Sequence, residues 1–94
     1  MRVDLNLCKR YAGIVGNDDD LVMQLCMESA QEYIAASGVP ETAQESSQYA
    51  LCTCMLASHY FDHRNQLTEV QQAPVPSGAV TLILQMKGDR HGDQ

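Results

Sequence analysis

The chain has 94 residues, with twelve acids against six bases and a formal net charge of −6. A chain of this length forms one domain, and it buries only about 60–65% of its unfolded surface, so its core is modest. The acidic balance argues against a nucleic-acid reader, which needs a basic patch, and against a membrane-surface helix rich in Lys and Arg. No stretch approaches the length needed to span a bilayer. Residues 1–15 lack a basic region followed by a long apolar run, so no secretory signal is expected. Cys8, Cys26, Cys52 and Cys54 are therefore read as reduced, buried thiols in a cytoplasm.

Asp4 is placed to cap a first short helix, Leu5 to about Ala12, with Leu5 and Cys8 toward the core and Ile14 packing just past its end. Gly13 and Gly16 break the pattern. Asn17-Asp18-Asp19-Asp20 then puts caps and negative charge at the start of an apolar periodic segment, where a helix N-terminus favours both. The alternating acids, Gly and distant Glu of an EF-hand are missing from this run. The second helix is expected over Asp18 to Ser37, with Val22, Leu25, Cys26, Ser29, Ala30, Tyr33 and Ile34 on its core face and Glu28, Gln31 and Glu32 in water. Gly38 and Pro40 specify its stop.

The third helix is expected to start near Pro40–Thr42, with Thr42 and Glu45 able to form a capping box, and to end near Asn65–Gln66. Its stretch Tyr49 to Asn65, YALCTCMLASHYFDHRN, is apolar almost all the way round for three turns. An amphipathic surface helix would show a stripe instead, so this helix needs cover on every side. Arg64 suits the negative end of its dipole. Gln66 to Pro76 is a polar connector with Pro74 and Pro76. Ser77 then reads as the N-cap of a final helix, Gly78 to about Lys87. The run Val80, Leu82, Ile83, Leu84, Met86 also has strand propensity, but no other segment offers a strand partner. The chain thus reads as all-α: a small bundle of about four helices around one long apolar central helix, spanning residues 1–87, with a disordered polar tail over 88–94.

Few constellations could carry chemistry. His59 and His63 are four apart, a zinc-ligand spacing, and four cysteines make a mixed site with them conceivable. However, C-x₂-C spacing and the H-E-x-x-H pattern are absent, so the cysteines read as small core residues, His59 as a core-edge histidine and His63 as a solvated one. A thiol nucleophile needs a partly exposed, electropositive setting, and these cysteines fall on apolar faces. Gly13 and Gly16 are not followed by the G-K-[ST] of a phosphate loop. No catalytic, metal or cofactor-binding residue is assigned.

The order of elements resembles the small head–tail connector proteins of long-tailed bacteriophages, also described as head completion, adaptor or DNA-packaging connector proteins. The family opens with a short helix and an acid-rich turn into a helix with alanines and a Tyr, matched by Asp18-Asp19-Asp20-Leu21-Val22, Ser29-Ala30 and Glu32-Tyr33-Ile34. It continues with a Pro and a long apolar helix closing on an H-Y…R segment, matched by Pro40, Ala50-Leu51 to Ala57, His59-Tyr60 and Arg64. A V-P-x-G step and a Leu-rich helix follow, matched by Val75-Pro76-Ser77-Gly78 and Leu82-Ile83-Leu84. The likeness runs from about Leu5 to Met86. The chain departs from the pattern in its cysteines, which stand where aliphatics are usual, and in its short polar tail after Lys87.

The resemblance implies an all-helical, non-catalytic subunit without cofactor. Copies would close a ring of about a dozen by cyclic symmetry below the portal protein. The ring would extend the DNA channel without sequence-specific binding and dock a tail-proximal completion protein, with no membrane contact. Its place would be the head–tail junction of the virion, and the host cytoplasm during assembly. The Gln66–Gly78 loop and the final helix, with Val75, Pro76, Gly78, Val80, Leu82, Ile83 and Met86, are expected to form the intersubunit or portal-facing surface, because they combine a loose tether with apolar content; the alternative for the final helix is plain packing back on the third helix. The rival reading is a small helical metal-stabilised or regulatory binding domain acting as monomer or dimer.

Overall fold

The computed structural model describes residues 2–64 and 75–88, and every regular element among them is helical. Helix α1 is Leu5–Ala12, α2 is Asp20–Ala36, α3 is Ser47–Asp62 and α4 is Ser77–Gly88, with a 3-10 turn at Glu41–Glu45. The connector expected at Gln66–Pro76 lies outside the described residues except for Val75 and Pro76, and the expected tail lies outside them beyond Gly88.

Local chemistry sets α1 as expected. The Asp4 carboxylate accepts the Leu7 N–H at 2.9 Å, satisfying one orphan donor of the first turn. At the other end Ile14 N–H donates to Lys9 O at 2.9 Å, and Lys9 and Arg10 sit at the negative end of the dipole. The Lys9 ammonium lies 2.7 Å from Asp20 Oδ1 and 3.2 Å from Asn17 Oδ1, which ties the acid-rich turn back onto α1. The acid run thus serves α2 differently from a side-chain cap. Asp19 takes the N-cap position without a capping hydrogen bond, and Asp20 is spent on Lys9. Helix α2 stops where Gly38 adopts φ 98°, a left-handed conformation that glycine takes without strain.

Two expectations are corrected here. Helix α2 buries Met23, Cys26, Met27, Ala30 and Ile34, so its core face is rotated from the expected one. Cys26, Ala30 and Ile34 remain inside, while Val22, Leu25, Ser29 and Tyr33 face outward. The helix carries two overlapping apolar stripes. The inner one includes Met23 and Met27, whose unbranched side chains adapt to irregular gaps. The second correction concerns the start of α3. The stretch after Pro40 forms a separate 3-10 turn, and Ser46, in an extended conformation, interrupts it. The Ser46 hydroxyl donates to Ala43 O at 2.7 Å and accepts the Tyr49 N–H at 3.1 Å. One side chain therefore ends the turn and caps the helix, and the Thr42/Glu45 capping box does not open α3.

Helix α3 ends at Asp62, earlier than expected. His63 Nδ1 lies 2.8 Å from His59 O, and the Arg64 guanidinium donates to Phe61 O at 2.7 Å while lying 4.1 Å from the Phe61 ring centroid. Arg64 thereby satisfies the Phe61 carbonyl, which a longer helix would have bonded internally, while the His59 carbonyl already accepts the His63 N–H at 3.2 Å. Helix α3 packs against α1, α2, α4 and the 3-10 turn, and buries Tyr49, Ala50, Cys52, Thr53, Cys54, Leu56, Ala57 and Phe61. Its cover is nonetheless incomplete: Ser47, Gln48, Leu51 and Asp62 form an exposed strip, with Leu51 at 45% exposure.

Helix α4 lies antiparallel on α3. Gln48 bonds Gln85 at 2.9 Å, Cys52 Sγ lies 3.6 Å from Ala79 O, and Met55 meets Gly78, so partners run backward along α4 as α3 advances. A Cβ at position 78 would stand 2.5 Å from Met55 Cε, so the missing side chain lets α4 approach closely. The carbonyl of Pro76, rather than Ser77, receives the first helical N–H groups, those of Ala79 and Val80.

Leu56 is fully buried on the helix that all the others touch. Leu56→Ala is expected to cost about 2–5 kcal/mol, and Ser46→Ala about 1 kcal/mol. Leu51→Ala on the exposed strip should stay within about 0.5 kcal/mol. The shift of the urea midpoint for the three variants checks this order.

Candidate interaction surface

The outward stripe of α2 is built from Leu21, Val22, Leu25 and Tyr33, with the exposed Ser29 and Ala36 continuing it at helical spacing. Leu21 is 74% exposed and Leu25 56%. Single exposed apolar side chains are ordinary on a monomer, but several on one stripe mark a surface suited to a partner. One flank is polar: Gln24 donates to Glu28 Oε2 at 2.8 Å, and Glu32 is exposed. Sequence periodicity missed this surface because it counted Val22, Leu25 and Tyr33 as core. The available signal was the width of the apolar arc on α2, which exceeds what one intrachain contact covers.

The residues expected at an interface near the end of the chain fall into two sets. Ile83 and Met86 are buried in the chain's own core, and Val75 and Leu82 pack partly buried against it. Pro76 and Gly78 are half-buried, Gly78 against Met55. Val80 faces outward, together with Leu84 at 60% exposure. The outward part of α4 is therefore Val80 and Leu84, and the rest of the expected set mainly attaches α4 to α3.

All four cysteines are free and buried. Burial pushes the Cys26 thiol up and raises Cys52 to about 11, so neither is a ready nucleophile at neutral pH. Cys8 on α1 and Cys54 on α3 bring their sulfurs to 3.9 Å. The hydrogen bond with Cys54, then burial, pushes the Cys8 thiol up, while the same hydrogen bond lowers Cys54 against the opposing effect of burial.

The His59 and His63 rings lie with centroids 4.5 Å apart. The ring of His63 is engaged through Nδ1 with the His59 carbonyl, and His59 Nε2 is buried without a hydrogen-bond partner among the described residues. Among those residues no group of three or more His, Cys, Asp or Glu is arranged to hold a metal ion. Two hollows on the surface are open grooves, one lined by Arg2, Lys9, Arg10 and Val15 on the α1 side, the other by Gln48, Thr81 and Leu84 between α3 and α4. No helix among the described residues is long and apolar enough to cross a membrane.

Comparisons with family models, with characterised proteins and with solved structures found no match to this chain.

Burial, then the neighbouring His63, lowers the pKa of His59 below its ordinary 6.5, and Asp62 opposes them only in part. The unfolded chain therefore binds the His59 proton more readily than the folded one. The resulting stability is present above about pH 6.5 and is lost as the pH falls from there through the folded pKa. The melting temperature should decline between neutral and mildly acidic pH, and His59→Gln should flatten that slope. Thermal unfolding across the pH series checks both.

Proposed function

We propose that this chain is a head–tail connector subunit of a tailed phage, forming a ring below the portal, extending the DNA channel and docking the tail-proximal completion protein. The observation that carries the reading is the apolar stripe of α2, left uncovered on an all-helical chain with a packed core. A cyclic ring is closed by heterologous contacts, in which each subunit presents two different patches. The α2 stripe and the outward residues of α4, Val80 and Leu84, are two such patches on separate helices. The strong net negative charge suits a channel that DNA traverses, because like charges keep the phosphate backbone from sticking. The order of elements and their motifs also supports the reading. The acid-rich turn leads into α2, the His59-Tyr60…Arg64 segment closes α3, and the Val75-Pro76-Ser77-Gly78 step enters α4.

Native mass spectrometry of the purified protein, alone and with its cognate portal protein, tests the assignment. A closed oligomer of about a dozen copies, or a complex of defined stoichiometry formed on the portal, is expected. A protein that remains monomeric in both samples would overturn it, and stoichiometric zinc removed by a chelator would favour a metal-stabilised binding domain instead. Leu25→Glu should abolish assembly while leaving the helical circular dichroism signal and the melting temperature nearly unchanged, since Leu25 is mostly exposed in the single chain.

A further inference from the structure

We propose that Cys8 and Cys54 are a disulfide-forming pair, an oxidisable clasp that fastens α1 to α3. The two sulfurs lie 3.9 Å apart although the residues are 46 positions apart in sequence, so the fold alone brings them together. Among the described residues neither thiol is committed to a backbone carbonyl, whereas Cys52 points its sulfur at Ala79 O. The position of Cys8 also gives the link mechanical leverage. Helix α1 has eight residues, and Cys8 is the one it buries fully. Its other attachments include the partly buried Leu5, Leu7 and Ala12, the Lys9–Asp20 ion pair and the Lys9–Asn17 hydrogen bond. A short, lightly anchored helix belongs to the low-stability end of a fold and opens locally without global unfolding. Such opening admits a small oxidant to sulfurs that are otherwise covered, and it lets α1 shift as the sulfurs close to bonding distance.

The step balances with a hydroperoxide as oxidant. The Cys54 thiolate attacks the peroxide, the O–O bond breaks, and Cys54 becomes a sulfenic acid as the alcohol or water leaves. The Cys8 sulfur then displaces hydroxide from that sulfenic acid, forming the S–S bond and releasing a second molecule of water with the Cys8 proton. Two thiols are oxidised by two electrons and one peroxide is reduced. The hydrogen bond that lowers Cys54 favours it as the attacking member, and Cys8 retains its proton until the second step. This inference concerns the core and stands independently of the connector assignment.

The test is treatment of the folded, full-length chain with hydrogen peroxide, followed by trapping of free thiols and non-reducing peptide mapping. The expected result is loss of two hydrogens per chain, a single Cys8–Cys54 cross-linked peptide pair, and free Cys26 and Cys52. The melting temperature should rise by about 10 °C, because the link closes a long loop in the unfolded chain, and it should return to its starting value on reduction. Cys26 also acts electrostatically on Cys8 and is the natural competitor, so the map must resolve it. A link through Cys26 or Cys52, sulfinic acid without a link, or a link that forms only in denaturant would each overturn the proposal. The readout is made on the unsubstituted protein, so it does not depend on whether a cysteine variant folds. Cys26→Ala should leave the Cys8–Cys54 link intact.

Discussion

Burial along α3 is the constraint on which the other elements depend. Eight of the sixteen residues in this helix are buried, and α1, α2, α4 and the 3-10 turn all pack against it. A helix used from several sides must let its neighbours come close, and the residues at its core face suit that need. Ala50, Cys52, Cys54 and Ala57 are small, and Ala30 on α2 and Ala79 on α4 are likewise fully buried. Gly78 continues the same logic where α4 passes Met55. The larger fillers, Leu56, Met23, Ile34 and Phe61, then complete the core between them. The ends of α3 are finished by side chains, Ser46 accepting the Tyr49 N–H at the start and Arg64 donating to the Phe61 carbonyl at the close.

The same arithmetic of a small core leaves apolar surface over. Three helices and a 3-10 turn on one hub have only so many inward faces, and α2 is apolar around most of its circumference. Once Met23, Cys26, Met27, Ala30 and Ile34 turn inward, Leu21, Val22, Leu25 and Tyr33 are left exposed among the described residues. Such exposure is unfavourable in water at roughly 25 cal/mol for each Å² of apolar area, which is the driving force an assembly would recover.

The cysteines illustrate how one residue type takes different roles by position. Cys52 is fully covered beneath α4, with its sulfur turned to the Ala79 carbonyl, and burial keeps it protonated. Cys8 and Cys54 are as well covered, yet they face each other across two helices of unequal anchorage. The hydrophobic size of a thiol accounts for the first role. Only the meeting of two thiols creates the second. His59 shows the same dependence on place: the fold encloses its Nε2, and burial together with the neighbouring His63 lowers its pKa.

The sequence by itself determined what is decided within a few residues. The all-helical class, the bounds of α1, the stop of α2 at Gly38 and Pro40, and the placement of α4 after Pro76 follow from caps, breakers and apolar periodicity, whose hydrogen bonds span three or four positions. Three features waited for the tertiary structure. The rotation of α2 was ambiguous because two apolar stripes overlap, and only contact with α3 selects the one with the methionines. The break between the 3-10 turn and α3 turned on Ser46, whose hydroxyl serves both sides, where Thr42 and Glu45 offered an equally plausible local start. Ile83 and Met86 looked available for a partner until α4 was laid on α3, which buries them and leaves Val80 and Leu84 outside. Contacts between residues far apart in sequence, such as Cys8 with Cys54 and Gln48 with Gln85, carry no local signature, because they arise only when helices pack.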